Sequence, residues 1–356
     1  MAPQRPVLGI LVSRKNWNSH YIRSVLRTAE QSGVKAFRLT PEDLQSSQRV
    51  EVRKLLPTVV YNRIPTRKEE FDPITKAAKG WLARAQIPVF NSRFFNKREV
   101  DRCLRKCVET AQYLPTSWYS WEPEEILSGL HQFGSLYVKP ISGSLGEGIY
   151  RLEKMGSRFF VEMRSANGVE VTTLGSKKEF FSFVKRKLGH HQWIIQEEIP
   201  LRTYRDRKTD FRVHVQRKPD GEFTVTGCAA KVAAKGAVTT HVRSGGSIAD
   251  RQTVLDQWFH KQADAAYDAM EKAALTISRN LCDTHEPTLG ELGLDMGFSR
   301  DGRLVLFEAN AKPGRSIFHT PFLRDANAYS LQLLVDYAVS LSENEWKTIA
   351  YQGVVS

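Results

Sequence analysis

Several features that mark other classes of protein are missing from this sequence. It contains no apolar run of roughly 18 or more residues, so no membrane-spanning helix is predicted. Its four cysteines are too few for the disulfide framework of a small secreted domain. The first apolar run, at residues 7–12, is not followed by the G-x-G-x-x-G pattern of dinucleotide-binding domains, so that mode of nucleotide binding is not predicted.

The remaining composition is that of a basic globular protein. The chain has 356 residues, 41% of them apolar and 26% charged, and this length suits two or three domains. A net charge of +13 favours anionic partners, although a basic solvated surface accounts for it equally well. The aromatic residues are dispersed and form no stacking platform, so nucleic acid is not predicted as a partner. The N-terminus lacks the pattern of a signal peptide, and we expect a cytoplasmic protein.

Acidic and amide side chains are concentrated on two apolar segments near the C-terminus. Asp295 precedes a hairpin turn with Asp-Gly at its tip, and Glu308 and Asn310 follow it. Glu308 and Asn310 are two residues apart, so on a strand they point to the same face. Such oxygen ligands are typical of a Mg²⁺ site whose other ligands are phosphates. Glu291, on the same strand face as Asp295, is interpreted either as a support for this site or as a strand-edge charge.

A glycine- and serine-rich segment is the predicted phosphate-binding counterpart of these acids. Lys139 ends an apolar strand, and a loop through residues 142–148 follows it. Small residues let backbone N–H groups approach phosphate oxygens, and the lysine adds a compact positive charge. The loop is not a Walker A loop, and a flexible hairpin is the alternative interpretation. The predicted loop residues are Ser142, Gly143, Ser144, Gly146 and Gly148.

Further segments complete a candidate nucleotide site. The apolar strand that runs into residues 196–199 can offer backbone groups to an adenine edge and a carboxylate to its amine or to the ribose. Asp210 and Arg212 share one face of a later strand. Lys97 begins a helix and on its own reads as a surface lysine. The residues of the predicted hinge are Gln196, Glu197, Glu198 and Ile199.

Taken together and in this order, these segments resemble the ATP-grasp superfamily, in particular the YheC/YheD-like group of endospore coat-associated proteins. The resemblance covers roughly residues 90–345. It implies an ATP-grasp fold of α/β and α+β class, in which two α+β lobes sandwich ATP. Alternating strand and helix patterns before these lobes predict a small parallel-sheet α/β domain. The expected domains are residues 1–92, 93–195 and 196–356.

The resemblance also implies a role for individual residues. Lys97 and Lys139 would contact the nucleotide, with the 142–148 loop as a flap over its phosphates. The 196–199 segment would form the adenine hinge, and Asp210 would reach the ribose or hold the site together. Lys231 matches a basic position near the γ-phosphate. The implied ligands of one or two Mg²⁺ ions are Asp295, Glu308 and Asn310.

The implied activity is that of an ATP- and Mg²⁺-dependent carboxylate–amine ligase working through an acyl phosphate. Its unidentified substrates would be amino-acid- or peptide-like, with charge neutralised by Lys231, Arg212 and Arg315. The basic loop with Lys312 and Arg315 directly follows the predicted metal ligands and suits a carboxylate substrate. His241 stands where related enzymes commonly carry Asn, which leaves open a spore coat-associated structural or regulatory protein that binds ATP without ligase turnover.

One further basic segment has two interpretations. The cluster at residues 202–208 contains three arginines and a lysine beside the predicted hinge. It is interpreted either as a site for an acidic substrate or as a solvated loop.

Overall fold

The chain is organised around one parallel and two antiparallel sheets. The computed structural model describes residues 5–45, 56–141, 148–165, 168–189, 193–234 and 245–343. The strands over these residues are β1 (Val7–Leu11), β2 (Lys35–Leu39), β3 (Val59–Asn62), β4 (Val89–Phe90), β5 (Ser117–Trp118), β6 (Ser135–Pro140), β7 (Tyr150–Met155), β8 (Arg158–Ser165), β9 (Gly168–Leu174), β10 (Trp193–Glu197), β11 (Thr203–Tyr204), β12 (Arg207–Arg217), β13 (Phe223–Val232), β14 (Ser247–Asp250), β15 (Glu291–Phe298) and β16 (Leu304–Asn310). The helices are α1 (His20–Gln31), α2 (Pro41–Gln45), α3 (Arg67–Glu70), α4 (Pro73–Arg84), α5 (Lys97–Arg105), α6 (Val108–Ala111), α7 (Pro123–Phe133), α8 (Lys177–Leu188), α9 (Arg251–Phe259), α10 (Ala263–Thr284) and α11 (Arg324–Glu343).

The N-terminal unit is a parallel sheet with the strand order β2-β1-β3-β4. Local sequence signals start its helices: Ser19 accepts a hydrogen bond from the backbone N–H of Ile22, and Asp72 caps α4 directly before Pro73. The apolar residues of β1 and β3 pack with those of α1 in one buried cluster. The predicted parallel-sheet α/β unit at the N-terminus is confirmed.

The second sheet is antiparallel, with the order β5-β10-β6-β7-β8-β9. The helices α7 and α8 bury their apolar faces against it, and Phe159 stacks on Phe180 with ring centroids 4.3 Å apart. The strand β6 has the predicted bounds, and its antiparallel neighbour β10 carries Gln196. This pairing brings Lys139 close to the predicted hinge.

The third sheet, also antiparallel, has the order β14-β13-β12-β15-β16, and β11 pairs with β12. Its central strand β15 is buried along its whole length. Arg212 on β12 is the register partner of Asp295 on β15, and Asp295 is in turn the partner of Glu308 on β16. The sheet therefore gathers charged side chains from segments that are far apart in the sequence.

Two helices pack on cores other than those that the predicted domain boundaries imply. The helix α5 belongs to the predicted unit 93–195, yet Val100 and Leu104 pack in the core of the third sheet. The helix α11 follows the third sheet in sequence, yet Leu334 and Tyr337 pack on β1 and β3 of the N-terminal sheet. An amphipathic helix buries its apolar face on whichever sheet lies beside it, which spacing along the chain does not reveal.

The long helix predicted over residues 251–281 is divided in the structure. The helix α9 ends at Phe259, and His260 adopts a φ of 50°, which is uncommon outside glycine. The helix α10 then begins at Ala263. Trp258 and Met270 still bury in the same core, so the apolar stripe is continuous although the helix is not.

Two bulk properties of the described residues bear on the class of protein. None of the helices in these ranges is long and apolar enough to cross a membrane. All four cysteines are free thiols. Cys228 and Cys282 are buried, whereas Cys103 and Cys107 are half-buried.

Candidate functional site

A cavity of about 650 Å³ is lined by residues of all three sheets and of the segments that connect them. Its volume lies in the range of small-molecule binding sites. Seven of its lining side chains are basic and two are acidic, so the cavity favours an anion. The basic residues are Arg63, Arg67, Lys97, Lys139, Arg212, Lys231 and Lys312, and the acidic ones are Asp101 and Glu308.

Both lysines that were predicted to contact a nucleotide lie on the cavity wall. Lys139 Nζ donates a hydrogen bond to Gln196 Oε1 at 2.6 Å. Lys97, in the first turn of α5, places Nζ 2.7 Å from Glu308 Oε1. Burial lowers the pKa of Lys139 to about 8, and the Glu308 carboxylate opposes this shift. Because burial costs Lys139 part of its preference for the charged form, an incoming phosphate would restore it.

Asp295 holds together the charged centre of the third sheet. Arg212 Nε and Nη2 donate to its two carboxylate oxygens at 2.7 and 3.1 Å, and Lys231 Nζ donates to Oδ1 at 2.9 Å. Lys231 Nζ also lies 3.2 Å from Asp210 Oδ1. Burial alone would raise the pKa of Asp295, but the two cations hold it well below its ordinary value. Arg212 and Lys231 line the cavity, and the two aspartates lie behind them.

The oxygen ligands predicted for Mg²⁺ differ in their availability. Glu308 and Asn310 lie on the cavity wall, and Asp295 sits on the neighbouring strand. Two carboxylates and one amide fit Mg²⁺, which binds few protein oxygens when phosphates supply the rest. Both oxygens of Asp295 already accept hydrogen bonds, so metal binding by this residue requires Arg212 or Lys231 to move. In the parts of the chain that the structure describes, three or more His, Cys, Asp or Glu side chains do not gather around a metal position.

One of the four predicted hinge residues reaches the cavity. Gln196 lines it, whereas Glu197, Glu198 and Ile199 do not. Glu197 Oε1 accepts a hydrogen bond from the backbone N–H just before β5, at 2.8 Å. Glu198 accepts from Arg151 Nε at 2.7 Å, and although burial opposes ionisation, this arginine helps lower its pKa to about 2. The predicted contact of a hinge carboxylate with adenine or ribose therefore does not agree with the structure, in which both glutamates join neighbouring strands.

Most of the predicted phosphate loop lies outside the described residues. This applies to Ser142, Gly143, Ser144 and Gly146, and also to His241 at the position where related enzymes carry Asn. Gly148 is described and has a φ of 68°, a conformation that glycine adopts without steric cost. The assignment of this loop to phosphate binding stays a prediction.

Arg315 belongs to a buried network next to the N-terminal sheet. Its Nη2 donates to Ser330 Oγ on α11 at 2.9 Å, and its Nη1 lies 3.8 Å from Glu291 Oε2. Glu291 is fully buried, lies 3.2 Å from Arg63 Nη1 and accepts a hydrogen bond from the Tyr61 hydroxyl. The predicted catalytic role of Arg315 does not agree with this placement, because its guanidinium points into the network and does not line the cavity. The interpretation of Glu291 as a strand-edge charge is wrong for the same reason.

The basic cluster at residues 202–208 serves packing. Arg202 Nη1 donates to the Trp258 carbonyl oxygen at 2.9 Å. Lys208 Nζ lies 3.2 Å from Glu198 Oε1. No side chain of the cluster lines the cavity formed by the described residues, so the interpretation as an acidic-substrate site is not supported there.

Sequence reasoning missed the cavity wall that the N-terminal unit supplies. Arg63 and Arg67 lie on it, together with Lys312 from the loop after β16. The available signal is the capping box of α3, in which Thr66 Oγ1 accepts a hydrogen bond from the Glu69 backbone N–H at 3.2 Å. That signal predicts where the short helix starts but not that its first residue faces a cavity.

A parallel-sheet unit followed by two antiparallel sheets, with a basic cavity between them, defines an ATP-grasp protein. The family model described as "YheC/D like ATP-grasp" matches residues 86–341, and the chain belongs to this family. This agrees with the resemblance that the sequence motifs indicate.

The relatives and structural neighbours are consistent with this assignment. The endospore coat-associated protein YheD of Bacillus subtilis is 35% identical over 292 residues, which cover 81% of this chain and 64% of YheD. The chain therefore spans less than two thirds of the length of that relative. The endospore coat-associated protein YheC of the same organism is 24% identical over 327 residues, which cover 86% of this chain and 88% of YheC. The crystal structure of the D-cycloserine synthetase DcsG has a TM-score of 0.56 at 14% identity, covering 92% of this chain and 99% of DcsG, and shares the fold.

Proposed function

We propose that this chain is an ATP-dependent ligase that binds ATP and Mg²⁺ in the cavity and joins a carboxylate to an amine. The observation that carries the proposal is the cavity wall, where five cations, Lys97, Lys139, Arg212, Lys231 and Lys312, lie around Glu308 and Asn310. Basic side chains neutralise a polyphosphate, and the two oxygen donors suit its cation. The synthetase activity that the name of DcsG states is in keeping with a ligase.

The proposed reaction has two steps that balance. A carboxylate oxygen of the first substrate attacks the γ-phosphorus of ATP, the bond to the β–γ bridging oxygen breaks, and ADP leaves. The amine nitrogen of the second substrate then attacks the acyl carbon, inorganic phosphate leaves with the C–O bonding pair, and the nitrogen loses a proton. The first step transfers negative charge between oxygens, so fixed cations are the main requirement.

Each cavity residue has a place in this scheme. Lys139 and Lys97 would bind the nucleotide phosphates, and Gln196 would orient Lys139 through their 2.6 Å hydrogen bond. Lys231 and Arg212, fixed by Asp295, would face the transferred phosphoryl group. Bound Mg²⁺ would offset phosphate charge, held by Glu308 and Asn310 and, once its cations release it, by Asp295.

The test is a thermal-shift titration with MgATP followed by a phosphate-release screen over amino acids and short peptides. We expect the wild type to bind MgATP and to release phosphate with at least one acceptor. Lys139→Ala and Glu308→Ala should abolish turnover while the fold survives. Lys185→Ala, which removes an exposed lysine of α8, is the control and should leave both readouts unchanged. Full activity in either cavity variant would refute the site assignment.

A second candidate function is favoured by the names of the curated relatives, which describe endospore coat-associated proteins. In this alternative the chain binds ATP as a spore-associated structural or regulatory protein and does not turn it over. Binding of MgATP without phosphate release for any acceptor supports this alternative over the ligase.

A further inference from the structure

The N-terminal end of the cavity contains an arginine whose charge the protein does not balance with an ion pair. Arg67 is the first residue of α3 and lines the cavity between the 63–66 segment and Phe94. The side chain of Thr66 caps this short helix, which sets the position of Arg67 on the wall. Its guanidinium lies 5.3 Å from the centre of the Phe94 ring.

The hydrogen-bonding capacity of Arg67 is only partly used. Its Nη2 donates to the Phe95 carbonyl oxygen. Its Nε is buried and has no hydrogen-bond partner. Each Nη of a guanidinium carries two protons, so Nε and the second proton of Nη2 form an open pair of donors on one edge. An unsatisfied buried donor is unfavourable unless a ligand completes it.

The neighbouring cations differ from Arg67 in having carboxylate partners. Lys312 lies 2.6 Å from Glu70 Oε1, and Arg63 lies 3.2 Å from Glu291 Oε1. Arg67 forms no ion pair with any carboxylate of the described residues, and burial lowers its pKa more than nearby carboxylates raise it. The cavity therefore exposes an incompletely compensated guanidinium close to the proposed phosphoryl-transfer position.

We propose that Arg67 binds a carboxylate group of the substrate through its Nε and Nη2 edge. A carboxylate accepts two parallel hydrogen bonds from this edge, and the pair gives both charge compensation and orientation. The Phe95 carbonyl fixes the plane of the guanidinium, and Phe94 covers one face of it. This inference rests on the proposed function, because the nucleotide is taken to occupy the Lys139 end of the same cavity.

The test measures carboxylate binding to the MgADP-loaded full chain. The probes are glutarate and butyrate, which carry carboxylates, and glutaramide, which carries none. We expect both acids to bind the wild type and glutaramide not to bind. Arg67→Met should weaken acid binding by about 10- to 100-fold, and Arg67→Lys, which keeps the charge but loses the two-donor edge, by about 10-fold. Lys68→Met, which removes the exposed neighbour on the same helix, should change nothing.

The outcomes separate this inference from the proposed function. Retained MgADP binding with equal acid affinity in wild type and Arg67→Met overturns the inference, as does a wild type that binds neither acid. Loss of nucleotide binding in the wild type overturns the proposed function instead. With MgATP, phosphate release that depends on the acid and on Arg67 identifies the bound group as the reacting carboxylate. Arg67-dependent binding without release identifies a second carboxylate of the substrate. Urea unfolding of each variant checks the fold, and Arg67→Lys supplies the comparison if Arg67→Met does not fold.

Discussion

Arg212 and Asp295 lie opposite each other on β12 and β15, and the guanidinium Nε and Nη2 bond to the two carboxylate oxygens at 2.7 and 3.1 Å. Lys231 adds a third hydrogen bond from β13. The carboxylate is nearly fully buried, so its charge is balanced inside the protein. Glu308, its partner on β16, faces the cavity instead. Two acids with the same predicted role therefore have different surroundings.

The first prediction follows from this difference. Asp295→Asn should destabilise the fold by about 3–5 kcal/mol, because Arg212 and Lys231 would remain buried without a counter-charge. Glu308→Gln should cost less than about 1 kcal/mol, because its Lys97 pair is partly exposed, yet it should abolish the Mg²⁺ dependence of ADP binding. Urea unfolding and ADP titrations with and without Mg²⁺ measure the two effects. Equal destabilisation by both variants would contradict the distinction.

The second prediction concerns the pH dependence of nucleotide binding. The pKa of Lys139 is lowered to about 8, so this lysine loses its proton as the pH rises through that value. Affinity for MgADP should therefore be higher at pH 7 than at pH 9, by up to about tenfold, since one cation facing the phosphates is lost. Calorimetric titrations in buffers of different ionisation enthalpy should show proton uptake on binding near pH 8.

The matched control for this prediction is Lys139→Arg. Arginine stays protonated throughout this pH range, so the affinity of the variant should be independent of pH between 7 and 9. A wild-type affinity that is equally flat would show that Lys139 does not face the nucleotide phosphates.

Much of the fold could be predicted from the sequence because its signals are local. Alternating apolar residues predict β6 with its observed bounds, and the Asp-Gly turn predicts the hairpin of β15 and β16. The two-residue spacing of Glu308 and Asn310 places them correctly on one face, and both line the cavity. Period and turn chemistry depend only on neighbouring residues.

The remainder of the site depends on contacts between distant segments. Arg315 follows the predicted metal ligands closely in sequence, but its guanidinium turns towards Ser330 and Glu291. Arg67 lies far from every predicted motif, yet it shares the cavity with Lys97 and Lys139. Which charge meets which partner is decided by tertiary packing, and no spacing rule in a single sequence contains that information.

The third prediction concerns the packing of the loop that follows Asn310. A Cβ added at Gly293 would lie 2.6 Å from Pro313 Cβ and 3.3 Å from Arg212 Nη1, so one of them must shift. Gly293→Ala should cost about 1–3 kcal/mol of unfolding free energy and also weaken ADP binding, because Pro313 and Arg212 line the cavity. Gly80→Ala is the control: its Cβ would approach only the flexible Arg84 side chain, at 3.4 Å, and should stabilise α4 by about 0.5–1 kcal/mol. Unchanged stability and affinity in Gly293→Ala would contradict the tight packing.

The fourth prediction links stability at low pH to the buried network around Glu291. Burial opposes its ionisation, but His214, Arg63 and Arg315 lower its pKa from 4.5 to about 2. Burial lowers the pKa of His214 from 6.5 to about 4. In both cases the unfolded chain binds a proton at a higher pH than the folded one, so stability is lost as the pH falls. The loss should begin near pH 6.5 through His214 and continue below pH 4.5 through Glu291, which contributes about 3 kcal/mol.

Urea unfolding between pH 3 and pH 7 measures this dependence, with Glu291→Gln as the diagnostic variant. At pH 7 the variant should be less stable by about 3–5 kcal/mol, because Arg63 and Arg315 lose their common buried partner. Its remaining stability should fall less steeply below pH 4.5, because the titrating carboxylate is gone. A variant with the stability of the wild type at pH 7 and the same slope below pH 4.5 would show that the Glu291 carboxylate does not connect the N-terminal sheet to the third sheet.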